Sequence, residues 1–246
     1  MDSHFSVSAI DGSPRALSVG KTGETHVPHY LERTYWWAYV HPRAVRFFER
    51  EWLVNLILFG NYHRLCDEVL GELGETIEGN VLQVACVYGN LTLRLQKNLG
   101  PRAGLDVVDV LPIQLRNLEN KLLPDDRIRM IQADSSSLPL PSGSYDHVIL
   151  YFLLHEQPDS VRRATVSEAI RVTKPGGKVV IVDYHEPSRL HPSRALLKMV
   201  FLWLEPFASE LWDKQITNFM PKYIDASCVV KNTYFGGLYQ KVVLKC

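Results

Sequence analysis

Residues 81–95 contain an apolar strand, a tight turn and the start of a helix, and this stretch constrains the fold most strongly. Val81 to Val84 form a short, mostly apolar run, the turn closes at Gly89, and leucines recur from Leu91 onward. Such an order is typical of a strand that leads through a tight turn into a helix. Backbone N–H groups at a helix start bind nucleotides or carboxylates, and Gly89 lacks the Cβ that would block their approach.

Further strand patterns follow in the order of a βαβ repeat. Asp109 ends the second apolar run, twenty residues after Gly89. Nucleoside-binding βαβ units place at this distance the carboxylate that accepts hydrogen bonds from ribose. A third run leads to Asp134, a fourth ends at Leu150, and a Pro-Gly-Gly turn at 175–177 introduces another strand. The spacing therefore predicts a nucleoside cofactor.

These ordered motifs resemble the class I S-adenosylmethionine-dependent methyltransferase domain over roughly residues 65–185. The resemblance implies a Rossmann-like α/β fold with a seven-stranded, mostly parallel sheet and an N-terminal helical cap. It also implies that Asp109 holds the ribose and Asp134 the adenine amino group of S-adenosylmethionine. The residues expected to bind this cofactor are Gln83, Ala85, Val87, Gly89, Asp109, Val110, Asp134 and Ser135.

Composition excludes some functions. The 246 residues are 46% hydrophobic and carry a formal net charge of zero, so the composition shows no excess of basic residues for nucleic-acid binding, and RNA or DNA substrates become less favoured. The four cysteines show no metal-like spacing, and we expect a reducing compartment. These are Cys66, Cys86, Cys228 and Cys246.

The sequence predicts three regions. Residues 1–25 are rich in Ser and Gly and predict a disordered tail, without the apolar segment of a secretory signal. Residues 26–75 form a helical and aromatic cap. Residues 76–246 form the cofactor-binding α/β domain with an apolar helical insertion at about 190–220. Alternation at 226–230 and 238–244 predicts two closing antiparallel strands.

The cap is unusually aromatic. Five aromatic residues occur between Tyr30 and Tyr39, and a helix pattern covers 44–60. This density suits a flat hydrophobic acceptor held by stacking and burial, although ordinary core packing would explain it equally well. The residues expected to contact the acceptor are Tyr30, Tyr35, Trp36, Tyr39 and Tyr62.

A narrower resemblance covers nearly the whole chain after the tail. The segment from Tyr30 to Pro42, the helix pattern from Trp52 to Leu58 and the altered loop at 84–89 together resemble the RquA family of bacterial rhodoquinone-biosynthesis proteins. That resemblance implies an enzyme that replaces a methoxy group of ubiquinone by an amino group. It further implies S-adenosylmethionine as amino donor and manganese(II) as supporting ion.

Two residues depart from the usual methyltransferase loop. Gln83 stands where the first strand usually ends in an acid, and Val87 replaces a second glycine. A carboxylate raises the pKa of a neighbouring ammonium more than a neutral amide does. Our hypothesis is that Gln83 keeps the cofactor's amine available as a nucleophile and that Val87 shifts the methionine arm. Neutral drift in a loop that still binds cofactor is the alternative.

Polar clusters follow the fourth and fifth strands, where the acceptor should lie. His155, His185 and Tyr151 are the candidates for acid–base catalysis, with tyrosine the weaker one because buried tyrosines usually pack structurally. Imidazole and carboxylate also suit manganese, which would act as a Lewis acid on a quinone carbonyl. The candidate metal ligands are His155, Glu156, His185 and Glu186.

A second apolar helix pattern covers 193–207 and is too short and too charged to span a bilayer. It predicts an interfacial helix for extraction of a polyprenyl quinone, and hence a peripheral protein on the cytoplasmic face of the inner membrane. Packing on the sheet or an oligomer contact is the alternative.

Two other function classes remain open at the level of sequence. One is a methyltransferase of a lipophilic quinol or phenol, and the other is a quinone- or nucleoside-binding module without catalysis. Retention of Asp109 and Asp134 favours cofactor binding.

Overall fold

The computed structural model describes residues 27–34, 48–86, 88–203 and 205–246. The tail predicted at 1–25 and the site residues Tyr35, Trp36, Tyr39 and Val87 lie outside the described residues.

One sheet organises the described chain. Its strands are β1 (Asn80–Val84), β2 (Gly104–Asp109), β3 (Ile128–Gln132), β4 (Tyr145–Tyr151), β5 (Thr173–Tyr184), β6 (Val229–Tyr234) and β7 (Tyr239–Lys245). The order is β3-β2-β1-β4-β5-β7-β6. The strands β1 to β5 pair in parallel, whereas β7 runs antiparallel to both β5 and β6. This confirms the predicted seven-stranded, mostly parallel α/β fold.

Helices cover both faces of the sheet. They are α1 (His29–Thr34), α2 (Glu51–Ile57), α3 (Tyr62–Leu73), α4 (Leu91–Asn98), α5 (Pro112–Glu119), α6 (Asp159–Val172), α7 (Arg194–Trp203) and α8 (Glu210–Asp213). The helices α3, α4, α5 and α7 contribute to one buried cluster, and α6 and α8 to the other. Thus α3 packs in the helical layer of the α/β domain although the sequence assigns its residues to the cap.

Three predicted boundaries differ from those observed. Of the helix predicted at 44–60, residues 44–47 lie outside the described residues. The described part contains α2 over Glu51–Ile57, and Phe59 and Gly60 end it by adopting φ of 50° and 78°. The helix predicted at 193–207 is observed at Arg194–Trp203, since Pro206 disfavours continuation. β6 begins at Val229 because the three preceding residues form a 3₁₀ turn capped by Asp225.

Within the described ranges, the helices are all too short or too polar to cross a bilayer.

Candidate active site

A cavity of about 630 Å³ opens at the carboxyl ends of the parallel strands. Its floor consists of residues at and after the strand ends, namely 85–86, 109–111, 133–135, 151–153, 155–157 and Tyr184 at the end of β5. Its roof comes from α1, α2 and α7. Ligands of open α/β sheets bind at this edge, so the cavity is the candidate active site.

Asp109 lies in the cavity wall at the end of β2. Its carboxylate accepts hydrogen bonds from the backbone N–H groups of Cys86 and Leu111, each at 2.8 Å. Burial raises its pKa to about 6, against the opposing effect of these two donors. The side chain is thus fixed between the first two strand ends, where Val110 also lines the cavity.

Asp134 and Ser135 lie in the wall after β3. Asp134 Oδ1 accepts from the backbone N–H of Ser136 at 2.8 Å, which fixes the turn. Ser135 Oγ accepts from Gln157 Nε2 at 3.0 Å and lies 3.0 Å from Thr165 Oγ1. These bonds join the end of β3 to the segment after β4. Asp109 and Asp134 line the same cavity.

Gln83 braces the turn after β1 and does not line the cavity. Its side chain is fully buried; Nε2 donates to the Ala85 carbonyl at 3.0 Å, and Oε1 accepts from Thr92 Oγ1 at 2.8 Å. Ala85 does line the cavity and has a φ of 77°, a region that disfavours side chains. The amide therefore holds a strained turn in place.

Gly89 and Tyr62 form one contact beneath this turn. The Tyr62 hydroxyl accepts from the N–H groups of Asn90 at 2.5 Å and Leu91 at 3.0 Å, which caps the start of α4. Tyr62 is fully buried and lies outside the cavity wall. Tyr62, predicted to contact the acceptor, therefore contacts the turn between β1 and α4 and not the cavity.

His155 projects into the cavity from the segment after β4. Its Nδ1 lies 2.9 Å from Asp183 Oδ1, and its Nε2 lies 3.8 Å from Glu156 Oε1 and 4.0 Å from Glu205 Oε2. Burial opposes protonation of His155, but the three carboxylates outweigh it and raise its pKa to about 9. His155 is therefore an imidazolium at neutral pH, suited to donate a proton.

This shift leads to a pH-dependent stability. The His155 pKa is higher in the fold than the ordinary 6.5, so its contribution to the free energy of unfolding is complete below about pH 6.5 and is lost as pH rises toward about 9. We expect the stability difference between wild type and His155→Gln to shrink across this interval. Urea unfolding of both proteins measures it; a difference that is constant with pH would contradict the assignment.

The four predicted metal ligands fall into two separate pairs. His155 and Glu156 line the cavity, whereas His185 Nδ1 donates to the Gly237 carbonyl at 2.7 Å and its Nε2 accepts from Lys231 at 2.9 Å. Glu186 pairs with Arg194 at 2.7 Å outside the cavity. In the part of the chain that the structure describes, no group of three or more His, Cys, Asp or Glu side chains is arranged to hold a metal ion. The predicted manganese site is therefore not formed by these residues.

Tyr151, the third predicted acid–base residue, lines the cavity but directs its hydroxyl into the core. Its oxygen lies 3.5 Å from Cys66 Sγ and donates to the Tyr62 carbonyl at 3.4 Å. Burial raises its pKa well above the ordinary value. These contacts match the structural function usual for buried tyrosines.

The roof of the cavity is apolar. Leu53, Val54 and Leu56 to Phe59 come from α2 and its end, and Leu196, Leu197 and Val200 come from α7. Tyr30 of α1 also lines it and packs against Phe207 with ring centroids 6.4 Å apart. A flat hydrophobic molecule would gain favourable burial against this surface.

Sequence reasoning missed several lining residues. Tyr88 stacks on Phe48 at 6.0 Å and accepts from Gln114 Nε2 at 3.1 Å. In the sequence, the only indication that Tyr88 lines the site is its position directly before Gly89 of the turn. Gln157 adjoins His155 and Glu156, and this proximity could have identified it. Glu205 follows α7 without any local pattern, and only the fold brings it to His155.

Comparison with known proteins finds similar sequences among methyltransferases. Residues 81–177 match the family described as Methyltransferase domain. The ubiquinone/menaquinone biosynthesis C-methyltransferase UbiE of Pseudomonas putida is 30% identical over 177 residues, covering 70% of this chain and 66% of that protein. The demethylmenaquinone methyltransferase of Staphylococcus aureus is 26% identical over 162 residues, or 66% of each chain. The alignments thus span slightly less than two thirds of these relatives.

A solved structure shows the same fold. The N-methyltransferase NodS of Bradyrhizobium japonicum superposes with a TM-score of 0.53 at 12% identity, covering 74% of this chain and 93% of that one. The fold, with its cavity at the strand ends, is that of a methyltransferase-like α/β domain. The chain has the class I methyltransferase fold, and its residues 81–177 are similar to the family described as Methyltransferase domain.

Proposed function

We propose that the cavity binds S-adenosylmethionine. The observation that carries this proposal is that Asp109 and Asp134, at the ends of adjacent strands, face one cavity beside the turn at 85–89. Asp109 would accept from the ribose hydroxyls, and Asp134 with Ser135 would bind the adenine end. Backbone donors fix both carboxylates in the wall of this cavity, which supports the proposal.

The acceptor that we propose is a lipophilic quinone, specifically ubiquinone. Its ring would lie beneath α2 and α7, whose apolar side chains form the roof beside His155. The quinone-pathway names of the two relatives support this class of acceptor. The alignments cover only part of those proteins, so incubation of this protein with ubiquinone itself is needed to test the acceptor.

The reaction that we propose is replacement of a ring methoxy group by an amino group, as in rhodoquinone formation. The amine nitrogen of S-adenosylmethionine would bond to the ring carbon as the methoxy group leaves. Its bond to the cofactor's Cα would then break by elimination, with the proton lost from the neighbouring carbon of the cofactor passing to the nitrogen, which leaves the amino group on the ring. No carboxylate lines the cavity at the end of β1 to stabilise the ammonium form of the amine, because Gln83 is neutral and its amide bonds to Ala85 outside the cavity wall; this supports the assignment. His155, which lines the cavity and is paired with Asp183, would give the departing methoxide the proton with which it leaves as methanol.

Methylation of a quinol is the second candidate, and the names of the relatives favour it. The two reactions differ in the atom that reaches the ring. We expect heavy nitrogen in the product when the protein, ubiquinone and S-adenosylmethionine labelled in both its amino and methyl groups are incubated together. Mass analysis of the quinone decides: heavy methyl carbon on the ring would show methylation and refute amino transfer.

The charge at residue 83 should control the pH dependence of amino transfer. In Gln83→Glu, a carboxylate would raise the pKa of the cofactor's ammonium, and we expect a roughly tenfold slower rate at neutral pH that recovers at higher pH. Gln83→Met removes the bond to Ala85 without adding charge and serves as control. Rates of amino transfer at saturating cofactor, measured across pH, test this prediction. Identical pH profiles for wild type and Gln83→Glu would contradict it.

We also propose peripheral contact with the cytoplasmic face of the inner membrane. Trp52 on α2 is 58% exposed and Trp203 on α7 is 79% exposed, on the two helices that roof the cavity. Exposed tryptophans favour the bilayer interface. We expect the wild-type protein to float with anionic liposomes. The double variant that carries both Trp52→Ser and Trp203→Ser should float several-fold less. Leu123→Ser, which alters an exposed leucine after α5, is the control; equal flotation of all three would oppose the proposal.

A further inference from the structure

The most exposed part of the cavity wall is aliphatic. Of the described residues that line the cavity, three are exposed, namely Leu56, Ile57 and Leu196, with exposed fractions of 65%, 44% and 48%. We call these three side chains the mouth of the cavity. The other described lining residues, including His155 and the residues with carboxyl groups, are buried or half-buried. A hydrocarbon chain would gain favourable burial at this mouth, whereas a polar group would find no partner there.

Both roof helices contribute to the mouth. Leu56 and Ile57 end α2, and Leu196 lies in the first turn of α7. Next to them in the chain, Leu58 and Leu197 also line the cavity but are buried. The apolar wall therefore continues from the exposed mouth into the buried part of the cavity.

The mouth residues share helix faces with the two exposed tryptophans. Trp52 precedes Leu56 by four residues on α2, and Trp203 follows Leu196 by seven residues on α7. Residues at these spacings lie on the same face of an α-helix. In the membrane contact proposed above, the mouth therefore lies on the side of the protein that meets the bilayer.

We propose that the prenyl chain of the quinone leaves the cavity through the mouth while the ring stays inside. The inference rests on the proposed function in requiring a quinone acceptor with an apolar chain. The cavity of about 630 Å³ has the size that holds a drug-sized ligand. With the cofactor and the quinone ring inside, a chain of several isoprene units has to extend out of it. The mouth buries the first part of this chain against aliphatic side chains, and the rest stays in the bilayer.

Two quinones separate the mouth from the rest of the site. One is a ubiquinone with a short prenyl chain, and the other has the same dimethoxy-methyl-benzoquinone ring without a chain. We expect Leu196→Asp to bind the prenylated quinone about tenfold more weakly than wild type, because the chain loses an apolar contact and meets a charge. Binding of the quinone without a chain should change less than about twofold, since its ring does not reach the mouth. Equilibrium dialysis of the whole chain without membranes measures both affinities.

Two further variants test the position of the chain. Ile57→Asp, on the α2 side of the mouth, should show the same selective loss. Leu202→Asp makes the matched change at a residue of α7 that is 78% exposed and does not line the cavity, and it should leave both affinities unchanged. Equal losses of both quinones in the two mouth variants, no loss of the prenylated quinone in either, or the same loss in Leu202→Asp would overturn the inference. A wild-type protein that binds neither quinone would instead overturn the proposed acceptor.

Discussion

Replacement of Gly89 by alanine is expected to destabilise the protein by about 2 to 5 kcal/mol, because left-handed backbone strain and steric overlap add. Gly89 has a φ of 95°, and a Cβ built there would overlap the Tyr62 hydroxyl and lie 2.6 Å from its Cζ. Tyr62 is fully buried and holds the start of α4, so it has no room to withdraw. The turn would move, and we expect cofactor affinity to fall with it.

Gly71 provides the matched control. It lies within α3 with nothing near its Cβ position and with an ordinary φ. Gly71→Ala should therefore raise stability by roughly 0.5 to 1 kcal/mol through helix propensity. Urea unfolding and calorimetric titration with S-adenosylhomocysteine measure both variants. A Gly89→Ala protein with wild-type stability and affinity would show that the contact with Tyr62 does not constrain the turn.

Loss of the Arg162 guanidinium is expected to have the second large effect. This fully buried group donates to the carbonyls of Leu154 at 2.8 Å, Gln157 at 2.7 Å and Phe207 at 3.1 Å, and pairs with Glu210 at 3.2 Å. Arg162→Met leaves these acceptors without a donor, and we expect a loss of about 3 to 5 kcal/mol. The bonds join the segment after β4 to the segment after α7, so cofactor affinity should fall as well.

Arg163 tests whether burial is responsible for the large loss of stability expected in Arg162→Met. Its side chain is 47% exposed and bonds to Asp159 and to the Asn218 carbonyl. Arg163→Met should cost less than about 1 kcal/mol, because exposed ion pairs contribute little. Unfolding experiments on the two variants give the comparison. Similar losses at both positions would contradict the view that Arg162 organises the cavity wall.

Much of the cofactor side could be predicted because it depends on local order. Strands end where apolar runs end, and parallel strands present those ends at one edge of the sheet. Asp109 and Asp134 follow such runs, and the structure places both in one cavity. The fold itself follows from the same repeated pattern, and the comparisons and the sheet order confirm it.

The residues that sequence placed less well depend on distant partners. His185 follows β5, but its contacts are with Gly237 and Lys231 of the antiparallel hairpin, which forms some fifty residues later in the chain. Tyr62 reaches the start of α4, a pairing that no local pattern encodes. Glu205 meets His155 only because α7 folds back over the sheet. Such long-range contacts decide which side of a strand end each side chain faces.

A crystal structure with S-adenosylhomocysteine and a short-chain ubiquinone analogue would test the central claim most directly. We expect the ribose hydroxyls within hydrogen-bonding distance of Asp109, the adenine beside Asp134 and the quinone ring beneath α2 and α7, next to His155. A cofactor bound elsewhere, or a cavity filled by side chains from the same protein, would contradict the account.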